Sequence, residues 1–230
     1  MRLSTIKFYI VSVFVFTKIL CVAQPTKDAG LWNTFNAEYK INSSFNIVFT
    51  EEFRLCENFM EVNLFYTDLG IEYSGIKNLK TSIVYRGIQK FQPDMPFSFR
   101  HRLMWDLSYK KEWNKFSVQY RHRLQVEVKN FYSSEFGKTP EWFDRNKFTF
   151  KYEVNKRIQP YVALEFRLQL YDPRNQFYDM EWHRVRYQAG TDIKLGNKKT
   201  IGFYYLIQDD FGIKNAQDQY ILGLEYTLKF

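Results

Sequence analysis

The chain has 230 residues, enough for one domain to bury a sizeable interior. It is 20% aromatic, with 23 Phe and 17 Tyr, yet its mean hydropathy is negative, so apolar residues must be diluted closely by polar ones. The net charge of +8 would suit a nucleic-acid binder, but the N-terminus reads as a secretory leader, and that argues against nucleic acid.

The leader reading covers Met1–Ala23. Arg2 and Lys7 form a positive start, Phe8 to Phe16 an apolar run, and Cys21-Val22-Ala23 offers small residues before a cut ahead of Gln24. Lys18 interrupts the approach to the cut, and Leu20 is bulky for the rival reading of a lipoprotein anchored at Cys21. The apolar run is too short for a helical anchor, which needs roughly 20 residues. Removing Arg2, Lys7 and Lys18, with no acids, lowers the net charge to +5. Cys56 is then the single remaining cysteine, which excludes an internal disulfide and a cysteine metal cluster.

Gln24–Gly30 reads as a short polar periplasmic arm. Leu31–Lys40 and Ser44–Leu55 follow as strands, with Phe45, Ile47, Phe49 and Phe53 on one face with Glu51. Val62–Tyr73 and Leu79–Phe91 form the next pair around a turn at Ser74–Asn78, and Gln92–Pro96 is a proline-containing loop.

Ser98–Val128 carries the sharpest alternation. Phe99, His101, Leu103, Trp105, Leu107 and Tyr109 alternate with Arg100, Arg102, Met104, Asp106, Ser108 and Lys110. After a turn at Lys111–Asn114, the row from Phe116 to Val128 alternates with Ser117, Gln119, Arg121, Arg123, Gln125 and Glu127. Successive side chains on a strand point to opposite faces, so each strand has one apolar and one charged row.

Lys129–Asp144 reads as the longest connection. Arg145–Val154, Pro160–Tyr171, Glu181–Ile193, Thr200–Gln208 and Gln219–Phe230 complete the strands. Connections alternate between short and longer, as in bacterial barrels with short periplasmic turns and longer outer loops. The closing alternating strand ends on Phe230, which is similar to the C-terminal signal read by the barrel assembly machinery.

The expected fold is all-β: an antiparallel transmembrane β-barrel of 10–12 strands over residues 24–230, behind a cleaved signal peptide at 1–23. Eleven strands are legible, whereas single-chain bacterial barrels are normally even-numbered. A first strand parallel to the last could not close an antiparallel wall. A twelfth strand hidden in Gln24–Leu31 or in a loop is the favoured resolution, and ten is the alternative. A soluble β-sandwich is the architectural rival.

With the apolar row outward, the lumen receives Arg100, Arg102, Arg121, Arg123, Asp106, Glu127, Glu165 and Arg167, together with further Arg, Asp and Glu residues. An ion-pair network filling a narrow lumen is the plain expectation, because the planar fork of arginine pairs carboxylates bidentately. An anion site at Arg100, Arg102, Arg121 and Arg123 is the sharper one, since arginine rings tune anion pores. Parity puts His101, His122 and His183 on the outer face, with no nucleophile in reach and no zinc-ligand spacing. No catalytic residue, metal site or cofactor is assigned. Trp32, Trp105, Trp113, Trp142 and Trp182 read as interfacial girdle residues.

Glu51-Glu52-Phe53-Arg54, Phe65-Tyr66-Thr67-Asp68-Leu69-Gly70, Tyr85-Arg86, Arg100-His101-Arg102, Arg145-Asn146-Lys147 and Tyr220-Ile221-Leu222-Gly223-Leu224 occur in an order that resembles domain-of-unknown-function family 2490. That family consists of predicted outer-membrane barrels, common in Bacteroidota. The resemblance covers roughly Gly30 to Phe230; it implies fold and location and supplies no activity. The expected protein is a monomeric outer-membrane barrel with a structural or small-solute pore role. Its expected partners are membrane lipids, the assembly machinery and a small anionic solute. The rivals are a lipid-modifying enzyme using an outer histidine and a surface interaction protein using Lys129–Asp144.

Overall fold

The structure is a computed structural model that describes residues 26–92, 95–129, 140–172, 180–211 and 216–230. The leader read at Met1–Ala23 lies outside the described residues. Eleven strands run in chain order: β1 (Thr26–Lys40), β2 (Phe45–Cys56), β3 (Glu61–Ile76), β4 (Leu79–Gln92), β5 (Met95–Trp113), β6 (Phe116–Lys129), β7 (Glu141–Tyr152), β8 (Ile158–Tyr171), β9 (Glu181–Lys194), β10 (Lys199–Asp210) and β11 (Gln217–Lys229). Each pairs with its chain neighbour, and β1 closes the barrel against β11. Strands of 12 to 19 residues exceed the roughly 9–11 needed to cross a bilayer.

The seam corrects the favoured twelve-strand expectation. The barrel closes at eleven because β1 and β11 pair in parallel, from Thr26↔Gln217 to Glu38↔Lys229. No hidden strand is required: a parallel pair satisfies backbone donors and acceptors with slanted hydrogen bonds. The arm read at Gln24–Gly30 is also corrected, since Thr26–Gly30 is the first part of β1. It lies at the end with the longer connections, where Ala29 accepts a hydrogen bond from the Phe59 amide. Glu141–Asp144, read as loop, belongs to β7.

The short connections share one end and have local causes. Asn78 (φ 65°) and Asn114 (φ 50°) take the left-handed conformation that lets two residues reverse the chain. Asn42 Oδ1 accepts from the Ser44 and Phe45 amides, and Asn155 Oδ1 from the Arg157 and Ile158 amides, closing two further turns.

The outer face is apolar. Leu69, Ile71, Ile83, Leu103, Phe150, Val162, Phe203 and Leu222 are all exposed on it. The inner face is mixed. Trp32, Leu206 and Ile221 form a buried apolar cluster behind the seam, with Tyr204 packed against it. Trp32 is therefore not a girdle residue; it is 6% exposed, inside the barrel, with the Arg54 guanidinium 3.6 Å above its ring. Trp113, Trp142 and Trp182 are exposed on the outer face near strand ends, and Trp105 is exposed there mid-strand.

Candidate functional site

Strand register sets inner side chains of six neighbouring strands in one row. Asp106 on β5 stands opposite Arg123 on β6, Arg123 opposite Arg145 on β7, and Arg145 opposite Arg167 on β8. Arg167 stands opposite Arg184 on β9, and Arg184 opposite Asp210 on β10. Four arginines thus lie in sequence between two carboxylates. Like charges directly opposite one another on a sheet repel, so each needs a partner off the row or at its ends.

The ends are satisfied directly. Arg123 donates from Nε and Nη2 to the two oxygens of Asp106, each at 2.6 Å, and Arg184 grips Asp210 in the same way at 2.5 and 2.8 Å. In the middle, Arg145 leaves the row and donates to Glu165 on β8 at 2.5 Å. Glu165 also accepts from Arg121 at 2.7 Å and from Arg186 at 3.1 Å. One carboxylate therefore serves three guanidinium groups. Glu127 serves two, accepting from Arg100 at 3.2 Å and from Arg102 at 2.5 and 3.0 Å.

The eight lumen candidates, Arg100, Arg102, Arg121, Arg123, Asp106, Glu127, Glu165 and Arg167, are all on the inner wall. The four arginines of the Arg-His-Arg segments do not converge on a common point. They divide among Glu127, Asp106 and Glu165. The residue left over is Arg167. Among the described residues it has no ion-pair or hydrogen-bond partner, and its Nε is buried and unsatisfied. It lies over the Phe143 ring at 4.1 Å, and the charges acting most strongly on it are Arg184, Arg145, Arg102 and Arg186.

Two β-bulges shape the wall beside Arg167. Pairing of β8 with β9 steps from Arg167↔Arg184 to Leu168↔Trp182, which leaves His183 as the extra residue. Pairing of β7 with β8 shifts between Trp142 and Phe143. The first bulge turns His183 inward, which corrects the outer-face expectation for that histidine. It is 2% exposed and meets Phe143 edge to face, with ring centroids 5.7 Å apart. Both of its ring nitrogens, and Nε2 of Gln169, are buried without a hydrogen-bond partner. The spacing of Trp182 and Val185, two outward residues three apart, is the sequence signal of this bulge.

Among the described residues, two adjoining cavities occupy the lumen. The larger, about 660 Å³, lies toward the longer connections and is lined by Arg100, Glu127, Phe143, Arg167, Gln169 and His183 among others. The smaller, about 300 Å³, lies toward the short turns, where ten Arg and Lys residues face four carboxylates. The two meet at Trp32, Arg54, Arg102, Arg167, Arg184 and Arg186.

His101 and His122 lie on the outer face, as parity places them. His101 Nδ1 is 2.6 Å from the Tyr85 hydroxyl. His122 Nδ1 is 3.1 Å from Asp144 Oδ1 and 3.3 Å from Asn146 Oδ1. Tyr120 donates to Asn146 at 2.5 Å, and the Asn146 amide donates to Asp144 at 2.9 Å. This outer cluster of four includes no serine, threonine or cysteine.

A family model described as protein of unknown function (DUF2490) matches residues 29–219. No curated protein matches the chain. Among solved structures, the translocator domain of autotransporter NalP from Neisseria meningitidis is similar at 11% identity, over 78% of this chain and 72% of that one, with a TM-score of 0.45.

Proposed function

The chain belongs to the DUF2490 family, and from that premise we propose that it is an outer-membrane barrel whose cation-rich lumen admits small anionic solutes. The observation that carries the reading is the cation surplus of the lumen: ten Arg and Lys against four carboxylates line the smaller cavity and eight against five the larger, inside a wall whose outer face is apolar. A low-dielectric wall focuses the field of such a surplus, raising the local concentration of anions over cations. In this reading the protein is a monomer, its surroundings are membrane lipids, and its wall is inserted by the barrel assembly machinery.

The test is single-channel conductance of refolded protein in a planar bilayer. Reproducible steps with anion preference are expected, and Arg102→Glu should move selectivity toward cations. A silent, folded barrel would overturn the pore.

A second reading has one specific observation in its favour. His122, held beside Asp144 on the outer face, has the partner that a general base needs to act on a lipid. Its weakness is the lack of a nucleophile in the same cluster.

A further inference from the structure

We propose that the corner of the larger cavity formed by Arg167, Gln169 and His183 binds a small phosphate-type oxyanion. The proposal deepens the pore reading and rests on it for ligand access to the lumen.

The donors come first. Arg167 Nε–H and Gln169 Nε2 can only donate, and a histidine ring carries at least one N–H in any tautomer. All are buried and unpartnered among the described residues, and all line the same cavity. A buried donor without an acceptor costs about 1–3 kcal/mol, so an acceptor shared by three in one corner is favoured. A ligand with several oxygen acceptors meets that need.

Charge selects the class. Among the described residues Arg167 has no counter-charge, Glu127 is shared by two arginines, and Glu165 by three. The surplus around the corner exceeds one positive charge, which favours a dianion over a monocarboxylate. The Arg167 guanidinium lies over the Phe143 ring at 4.1 Å, and a guanidinium is the group suited to fork-like contact with phosphate oxygens.

Backbone irregularity points the same way. The bulge at His183 turns its ring to the inner wall, where it meets Phe143, a ring that alternation with Arg145 on β7 already points inward. Bulges commonly re-aim side chains at sites of function. A cavity of about 660 Å³ leaves room for a substituent on a phosphate monoester as well as for inorganic phosphate.

The experiment is calorimetric titration of the refolded barrel in detergent with inorganic phosphate, and with acetate at matched ionic strength. Saturable binding of one phosphate per chain is expected, with acetate at least tenfold weaker. Arg167→Gln should weaken phosphate binding at least tenfold, and it should assemble and melt no lower than wild type in phosphate-free buffer, because it removes an unneutralised buried cation. His183→Phe should also weaken binding. Absence of saturable phosphate binding, equal responses to phosphate and acetate, wild-type binding by Arg167→Gln, or failure of that variant to assemble would each overturn the site. Phosphate binding by a barrel that is silent in bilayers would retain the site and reject the pore. A conducting barrel that binds no phosphate would do the reverse.

Discussion

The ring of Tyr204 on β10 lies across Gly223 on β11, in the space that a β-carbon on Gly223 would occupy. Tyr204 also packs against the Trp32–Leu206–Ile221 cluster, and Trp32 on β1 is the parallel partner of Gly223. The missing side chain at Gly223 thus lets one tyrosine seal the inner side of the barrel seam. Gly223→Ala is expected to destabilise the barrel by about 1–3 kcal/mol through overpacking. Thermal unfolding in detergent measures this, and adding Tyr204→Ala should recover part of the loss attributable to the clash. An unchanged melting temperature for Gly223→Ala would rule out this role for Tyr204.

The parallel seam itself is testable by chemistry. Asn33 and Leu224 are partners across β1 and β11. With both natural cysteines replaced by serine, Asn33→Cys combined with Leu224→Cys should form a disulfide on oxidation. The slipped pair Asn33→Cys and Tyr226→Cys should form it far less. Neighbouring strands lie within the Cα separation of about 4.4–6.8 Å that a disulfide tolerates. A twelve-stranded wall with another strand between β1 and β11 would give no cross-link for either pair.

Glu165 and Arg121 should respond unequally to removal. Glu165→Gln strands Arg145, Arg186 and Arg121 without their shared carboxylate. Breaking a buried pair in this way costs about 3–5 kcal/mol. Arg121→Gln leaves Glu165 with two guanidinium partners and is expected to cost less, no more than the about 1.5–3 kcal/mol net of a hydrogen bond to a charged group. Chemical denaturation of the two variants in the same detergent decides this, and equal losses would contradict the shared-carboxylate arrangement.

The outer pair His122–Asp144 gives a prediction of opposite sign. Its polar groups face the apolar exterior, and replacing a desolvated polar pair by apolar residues is often neutral or stabilising by about 1–4 kcal/mol. His122→Leu combined with Asp144→Leu should therefore match or exceed wild-type stability. Lipid extracts from cells carrying the double variant should match wild type. A changed lipid profile with the barrel intact would favour the lipid-modifying reading over the pore.

Much of the fold is legible in the strand pattern. The alternation from Phe99 to Tyr109 and from Phe116 to Val128 gives strand identity and facing directly, because neighbours on a strand are held to opposite sides by backbone geometry. The asparagine turns are equally local. In β1 the wall sets Trp32 on the inner face with Thr34 and Asn36. Its identity as tryptophan suggested the outer girdle, and strand alternation overrides that preference.

What the chain alone determined is therefore everything set by near neighbours: strands, turns, an apolar face and a charged one. The tertiary structure decided the rest. Closure between β1 and β11 joins residues nearly 200 positions apart in a parallel pair that no local pattern encodes. The bulge at His183 reversed one histidine's facing, since a single extra residue shifts the parity of everything on one side of it. The pairing of arginines with carboxylates depends on which strands lie side by side. Arg121 reaches Glu165 two strands away, and Arg167, flanked by Arg145 and Arg184, is left with none among the described residues. Local sequence fixes which way a side chain points, but only the closed wall fixes what it meets there.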